Sequence, residues 1–234
     1  MAQKNNITHP AKFTDNLIPE IANMLSDINH GRILDPFAGT GKIALIKKYN
    51  FNGTVYANEI EPEWIANNEF GCDVITMQDA EFLDYPECYF DAICTSPTYG
   101  NRMADHHVAK DGSKRLTYTH CLGRQLNNEN TGKMQFGDDY INKHVKIYRH
   151  LFTLVKWGGY FILNIKNHIR KGEEIDVVGF HKKALSDVGF MEIQDLIVKT
   201  PCMGFGRNRN KRIYEEHIIK FIKPIKGGLN GKRN

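Results

Sequence analysis

No stretch of this sequence approaches the roughly 18 consecutive apolar residues of a membrane-spanning helix, so no membrane span is expected. Residues Met1 to Pro10 are polar and hold no apolar core, so a secretory signal is not expected either. Cysteine is sparse and odd in number (Cys72, Cys88, Cys94, Cys121, Cys202), with no CxxC pair. That argues against a disulfide framework and a zinc ribbon, and for a reduced, cytoplasmic protein. There is no internal repeat, no low-complexity tract and no GxxxxGK(S/T) phosphate loop. His106, His107 and His120 lack a carboxylate or cysteine partner at a metal-binding spacing, so no metal is expected.

What remains is an ordinary globular composition: 234 residues, 41% apolar and 25% charged. A chain of this length buries roughly 70–75% of its unfolded surface and needs no staples. One domain over residues 1–223 is expected, followed by a basic, frayed tail over 224–234. The net charge of +4 is unevenly placed. Lys199 to Asn234 carries ten Lys or Arg against two acids, a net +8, which leaves −4 on the rest. A basic end on a mildly acidic body suits a polyanionic partner, although a solvated tail has the same composition.

The patterning alternates between strand and helix, which predicts an α/β fold with a mostly parallel sheet. Strands are expected at 32–37, 54–59, 74–78, 91–97 and 160–165, with helices at 14–28, 42–48, 61–70, 139–155 and 177–188. Two late apolar segments, 192–199 and 217–222, are expected to pair as an antiparallel hairpin around the basic turn Pro201 to Arg212. From Tyr99 to Gly137 apolar periodicity stops, which marks a functional or a mobile loop.

Chemistry concentrates at strand ends. Asp35-Pro36-Phe37-Ala38-Gly39-Thr40-Gly41 follows the first strand and precedes a helix, and its small residues let the backbone approach a ligand closely. Glu59 ends the second strand, where a carboxylate can accept hydrogen bonds from ribose hydroxyls. Asp79 follows the third strand and either accepts from an adenine amine or caps the next turn. Adenine plus ribose without a phosphate loop points to an adenosyl cofactor.

These residues resemble the S-adenosylmethionine-dependent methyltransferases that modify exocyclic amines of nucleic-acid bases. Asp35 to Gly41 is similar to their motif I in its DPFxGxG form, and His9-Pro10-Ala11-Lys12-Phe13 to their motif X. Ser96-Pro97-Thr98-Tyr99 is similar to motif IV, usually (D/N/S)PP(Y/F/W). The resemblance spans about residues 9–165 in the order X, I, IV. It implies a Rossmann-like methyltransferase fold, α/β, with a mixed, mostly parallel sheet of about seven strands and helices on both faces. It also implies S-adenosylmethionine as cofactor, held by Asp35, Phe37, Gly39, Gly41, Glu59 and Asp79, with Lys12 and Phe13 near the methionine end.

The target amine shares its lone pair with the base ring, so the site must draw it out with two acceptors. In the family these are the first motif side chain and the following proline carbonyl, here Ser96 and Pro97, while Tyr99 stacks on a flipped base. Serine in first place leans toward N4 of cytosine over N6 of adenine. Thr98 departs from the pattern, which has a second proline, and costs the turn stiffness. Carbon-5 methylation is disfavoured because Cys94 falls inside the strand. The implied partner is duplex DNA, with RNA as the alternative. A catalytically impaired cofactor-binding protein also remains open. Phosphate contacts are expected from Arg102, Lys114 and Arg115 in the long loop and from Arg207, Arg209, Lys211 and Arg212 in the late turn.

Overall fold

The computed structural model describes residues 9, 14–101, 117–200 and 209–225. Its strands are β1 (Arg32–Asp35), β2 (Thr54–Asn58), β3 (Val74–Thr76), β4 (Phe90–Thr95), β5 (Val155–Ile165), β6 (His168–Arg170), β7 (Glu173–Ile175), β8 (Met191–Lys199) and β9 (Glu215–Ile222). Its α-helices are α1 (Leu17–Met24), α2 (Pro62–Ile65), α3 (Tyr118–Leu122), α4 (Asp138–Leu154) and α5 (Val177–Asp187). Seven strands form one sheet in the order β3-β2-β1-β4-β5-β9-β8. The first five strands of the chain pair in parallel, and β9 runs antiparallel to both β5 and β8.

The two-residue side-chain period divides the sheet cleanly between two apolar layers. Ile33, Val55, Ala92, Cys94 and Ile162 face α1 and the 3-10 helix Lys42–Tyr49. Their neighbours Leu34, Tyr56, Ile93, Phe161 and Leu163 face α4 and α5. Because both faces are covered, β4 is buried almost without alternation. On α4 the buried positions Tyr140, Lys143, His144, Ile147, Tyr148, Leu151 and Leu154 follow helical spacing. A fully buried side chain such as Leu151 contributes about 2 kcal/mol.

Several elements differ from the sequence expectation. The helix expected over 14–28 begins only at Leu17 and ends at Met24; Asn16 holds the N-cap position without a side-chain bond. Residues Lys42–Tyr49 form a 3-10 helix, whose three-residue repeat aligns the fully buried Ile43 and Ile46 along one edge. The helix expected at 61–70 stops at Ile65, and the chain turns through Asn68 at φ 42°. The strand expected at 160–165 begins at Val155 as β5, so Gly158 and Gly159 lie within it and exchange backbone hydrogen bonds with Lys223. The β6–β7 hairpin had no apolar signature. Its two-residue turn, Lys171-Gly172, has φ of 52° and 87°, the positive pair such hairpins use.

Candidate active site

In this sheet the chain leaves β1 toward β2 on one side and returns to β4 on the other. Ligands bind at such a switch point, at the carboxyl ends of the strands. A cavity of about 290 Å³ opens there. It is lined from the ends of β1 (Pro36 to Thr40), β2 (Glu59, Ile60), β3 (Gln78 to Ala80), β4 (Ser96 to Tyr99) and β5 (Asn164, Lys166), together with Glu216 of β9.

The β1 turn is held by carboxylates. Asp35 is fully buried, and its Oδ1 accepts from the Phe37 N–H at 3.0 Å and the Thr95 hydroxyl at 2.7 Å. It thereby pins the β1 turn to the end of β4, and it does not line the cavity. Burial raises its pKa to about 7, against the lowering pull of Thr95 and Phe37. Glu59 lines the cavity and accepts from the N–H of Gly39 at 2.9 Å and of Glu61 at 3.1 Å. Burial raises its pKa to about 7 as well; those two N–H groups lower it, and the charges of Glu61 and Asp35 raise it.

Gly39 has φ +55°, and a Cβ there would meet the His9 ring at 3.2 Å. His9 packs edge-on to Trp64, with ring centroids 4.6 Å apart, and lies 5.2 Å from Tyr118. Gly41 caps the 3-10 helix and does not line the cavity; its backbone packs against Cys72. Phe37 lines the cavity and stacks on His144 at 6.0 Å. Asp79 lines it too, but it also caps a turn by accepting from Glu81 N–H and pairs with Lys143 at 2.6 Å. Lys143 further contacts Glu81 at 2.9 Å and Glu129 at 3.0 Å, and these carboxylates raise its pKa against the opposing effect of burial.

The β4 turn is held by side chains. The Tyr99 hydroxyl donates to Glu216 Oε1 at 3.0 Å and lies 3.1 Å from Ser96 Oγ. Asn164 Nδ2 donates to Glu216 Oε1 at 2.8 Å and to Ser96 Oγ at 3.3 Å. Burial, then the charge of Glu216, lifts the Tyr99 pKa well above its usual value. Thr98 donates to the Thr131 hydroxyl at 2.8 Å, and its carbonyl accepts from Tyr140 OH. Tyr140 thus spends its proton on Thr98, so His181 Nε2 donates to it at 2.8 Å. His181 Nδ1 then accepts from Tyr148 OH at 2.5 Å. This is the neutral form of His181, which burial favours by lowering its pKa.

After the long loop, side-chain bonds hold the rim. Arg124 clamps Glu63 with bonds of 2.7 and 2.5 Å, and Glu61 accepts from Asn127 N–H and from Asn130 Nδ2. Lys211 and Arg212 lie away from the cavity, around a neighbouring hollow with Asn167 and Glu174. Lys211 is exposed and donates to the Gly172 carbonyl. Arg209 opens a short 3-10 turn beside them. Lys12, Phe13, Arg102, Lys114, Arg115 and Arg207 lie outside the described residues.

Sequence reasoning missed Glu216, Tyr140, Thr131 and Lys143. Glu216 left one signal: it is an acid on the same side of a strand as Ile218. Cys94 is buried within β4, and burial raises its pKa well above the ordinary value, the opposite of what a nucleophile needs. Among the described residues no helix is long and apolar enough to cross a membrane.

No family model and no curated protein matches the sequence. Solved structures do match the fold. A SAM-dependent methyltransferase of Methanosarcina mazei is 15% identical, with 88% of this chain and 98% of that one covered and a TM-score of 0.56. A methyltransferase of Pyrococcus furiosus is 16% identical, with 93% and 88% covered and a TM-score of 0.53. The cyclase SpnF is 14% identical, with 88% and 82% covered and a TM-score of 0.55. A cyclase among them illustrates that one fold carries several chemistries. The chain has the Rossmann-like methyltransferase fold.

Proposed function

We propose that this protein transfers a methyl group from S-adenosylmethionine to an exocyclic base amine in DNA, at N4 of cytosine or N6 of adenine. One observation carries the reading: the Ser96-Pro97-Thr98-Tyr99 turn, the Gly39 turn after β1 and Glu59 after β2 line a single cavity. The residues present fit the cofactor. Gly39, without a side chain, brings bare backbone to the cavity wall, and Glu59 and Asp79 offer acceptors for ribose hydroxyls and an adenine amine. When bound, the cofactor supplies an electrophilic methyl group on a sulfonium sulfur.

The chain's own residues do the rest. Ser96 Oγ and the Pro97 carbonyl accept the two amine hydrogens, which turns the nitrogen lone pair out of conjugation. Tyr99, its hydroxyl anchored by Glu216, presents its ring at a fixed angle to the base. Such positioning supplies much of the rate of an in-line transfer.

The test incubates the protein with methyl-labelled S-adenosylmethionine and, separately, unmodified duplex DNA and total RNA, then separates the nucleosides by mass. Label in N4-methylcytosine or N6-methyladenine from DNA is expected. Label confined to RNA would move the reading to an RNA amine. Ser96→Ala is expected to lower transfer at least tenfold, about 1.4 kcal/mol of transition-state stabilisation, with cofactor affinity within twofold of wild type. Unchanged transfer in that variant sinks the assignment of Ser96.

A further inference from the structure

Methylating an amine leaves a proton to dispose of, and the reading above gives Ser96 no base to pass it to. The β4 turn contains a route. Glu216 is 5% exposed and sits on β9, across the cavity wall from Ser96. Tyr99 OH and Asn164 Nδ2 both donate to its Oε1, and Lys166 Nζ lies 3.5 Å from its Oε2. A carboxylate surrounded by donors accepts only.

The proton positions then follow in sequence. Tyr99 has one hydroxyl proton, and it goes to Glu216. The 3.1 Å contact between Ser96 and Tyr99 must therefore use the Ser96 proton. With that proton committed, Ser96 Oγ can only accept, from Asn164 at 3.3 Å and from whatever enters the cavity. Ser96, a side chain able to donate or accept, is held as an acceptor by a group two hydrogen bonds away.

We propose that Ser96, Tyr99 and Glu216 form a proton wire that keeps Ser96 an acceptor and carries the surplus amine proton to Glu216. The inference rests on the function proposed above. In the transfer, the amine lone pair forms the new N–C bond and the S–C pair returns to sulfur. The cationic amine then releases a proton to Ser96 Oγ, the Ser96 proton passes to Tyr99, and the Tyr99 proton passes to Glu216 Oε1. Glu216 ends as a neutral acid, and charge and atoms balance. Glu216 acts through Tyr99 and Ser96 and is a positioning residue with a proton-accepting role.

Glu216→Gln separates the wire from mere scaffolding, because glutamine keeps the size and the acceptor oxygen but cannot take up the proton. In single-turnover assays on an acceptor that the wild type methylates, Glu216→Gln is expected to slow transfer at least tenfold. Cofactor and nucleic-acid affinities should stay within twofold. Transfer at the wild-type rate in Glu216→Gln, with Ser96→Ala impaired, overturns the wire and leaves the function standing. No transfer by the wild type to any nucleic acid is instead a failure of the function. In that case a second readout decides on the wire without turnover. Carbon-13 NMR of ring-labelled tyrosine, with Tyr99 assigned through Tyr99→Phe, reads its ionisation. Glu216→Gln is expected to bring Tyr99 ionisation to lower pH; an unmoved titration overturns the wire.

Discussion

The two ends of the cavity are built by different means. At the β1–β3 end the chain shapes itself with backbone: Gly39 and Glu61 donate main-chain N–H groups to Glu59, and Phe37 donates one to Asp35. At the β4 end the bonds run between side chains far apart in sequence, 117 positions for Tyr99 to Glu216 and 52 for Asn164 to Glu216. At the first end those backbone bonds span 20 positions or fewer, and the Thr95 hydroxyl adds a side-chain tie from Asp35 to β4. The second depends on the whole sheet being closed, since β9 supplies its carboxylate.

The largest expected effect tests where the first end departs from that rule. Lys143, from α4, is a long-range charged prop there, and its ammonium gathers Asp79, Glu81 and Glu129. Lys143→Met keeps the buried stem and leaves those carboxylates facing one another. Removing one partner of a buried pair costs about 3 kcal/mol. Urea unfolding should show that loss in the midpoint with an unchanged slope. A loss under about 1 kcal/mol would mean that the carboxylates are hydrated and that this end holds without Lys143.

The same division explains what was legible. Gly39, Glu59 and Ser96 could be found because each follows a strand whose apolar pattern is visible, and sheet order then brings strand ends together. Tyr140, Thr131 and Glu216 could not, because nothing local marks a tyrosine on a helix or an acid on a late strand as a neighbour of residue 98 or 99. The helix at 42–48 was legible as an element, but its 3-10 form was not, since that form answers to packing against α1. The role given to Asp79 was left between ligand and cap, and in the structure it caps while still facing the cavity.

A second, smaller effect sharpens the comparison through pH. Burial raises Glu59 from 4.5 and Asp35 from 3.8 to about 7 each. The folded protein therefore holds protons that the unfolded chain releases at lower pH, and its stability falls as pH climbs from about 4 to 7. Ribose hydroxyls donating to Glu59 would favour its charged form, so the sign for binding is the reverse. Affinity for an adenosyl ligand should rise about tenfold from pH 6 to pH 8, with proton release in calorimetry. Asp35 titrates in the same range but does not line the cavity, so Glu59→Gln should flatten the profile. A profile that stays steep in that variant would assign the proton to Asp35.

The smallest effect concerns Thr98, the residue that departs from the motif. A proline there would stiffen the turn through its ring; the structure stiffens it with a hydroxyl. Thr98 Oγ1 donates to Thr131 at 2.8 Å, and Tyr140 holds the Thr98 carbonyl from the other side. Thr98→Val keeps the shape and removes the hydroxyl, which costs about 1 kcal/mol and leaves Thr131 without that donor. If the pair positions the turn, transfer should fall about fivefold, the rate equivalent of that energy. Thr98→Pro substitutes ring stiffness for the hydrogen bond, so its transfer should stay within threefold of wild type. Thr131→Val should match Thr98→Val, and the double variant should be no worse than either, because both remove the same bond. Additive losses would place the two threonines in separate roles and leave Tyr140 as the residue that holds the β4 turn in place.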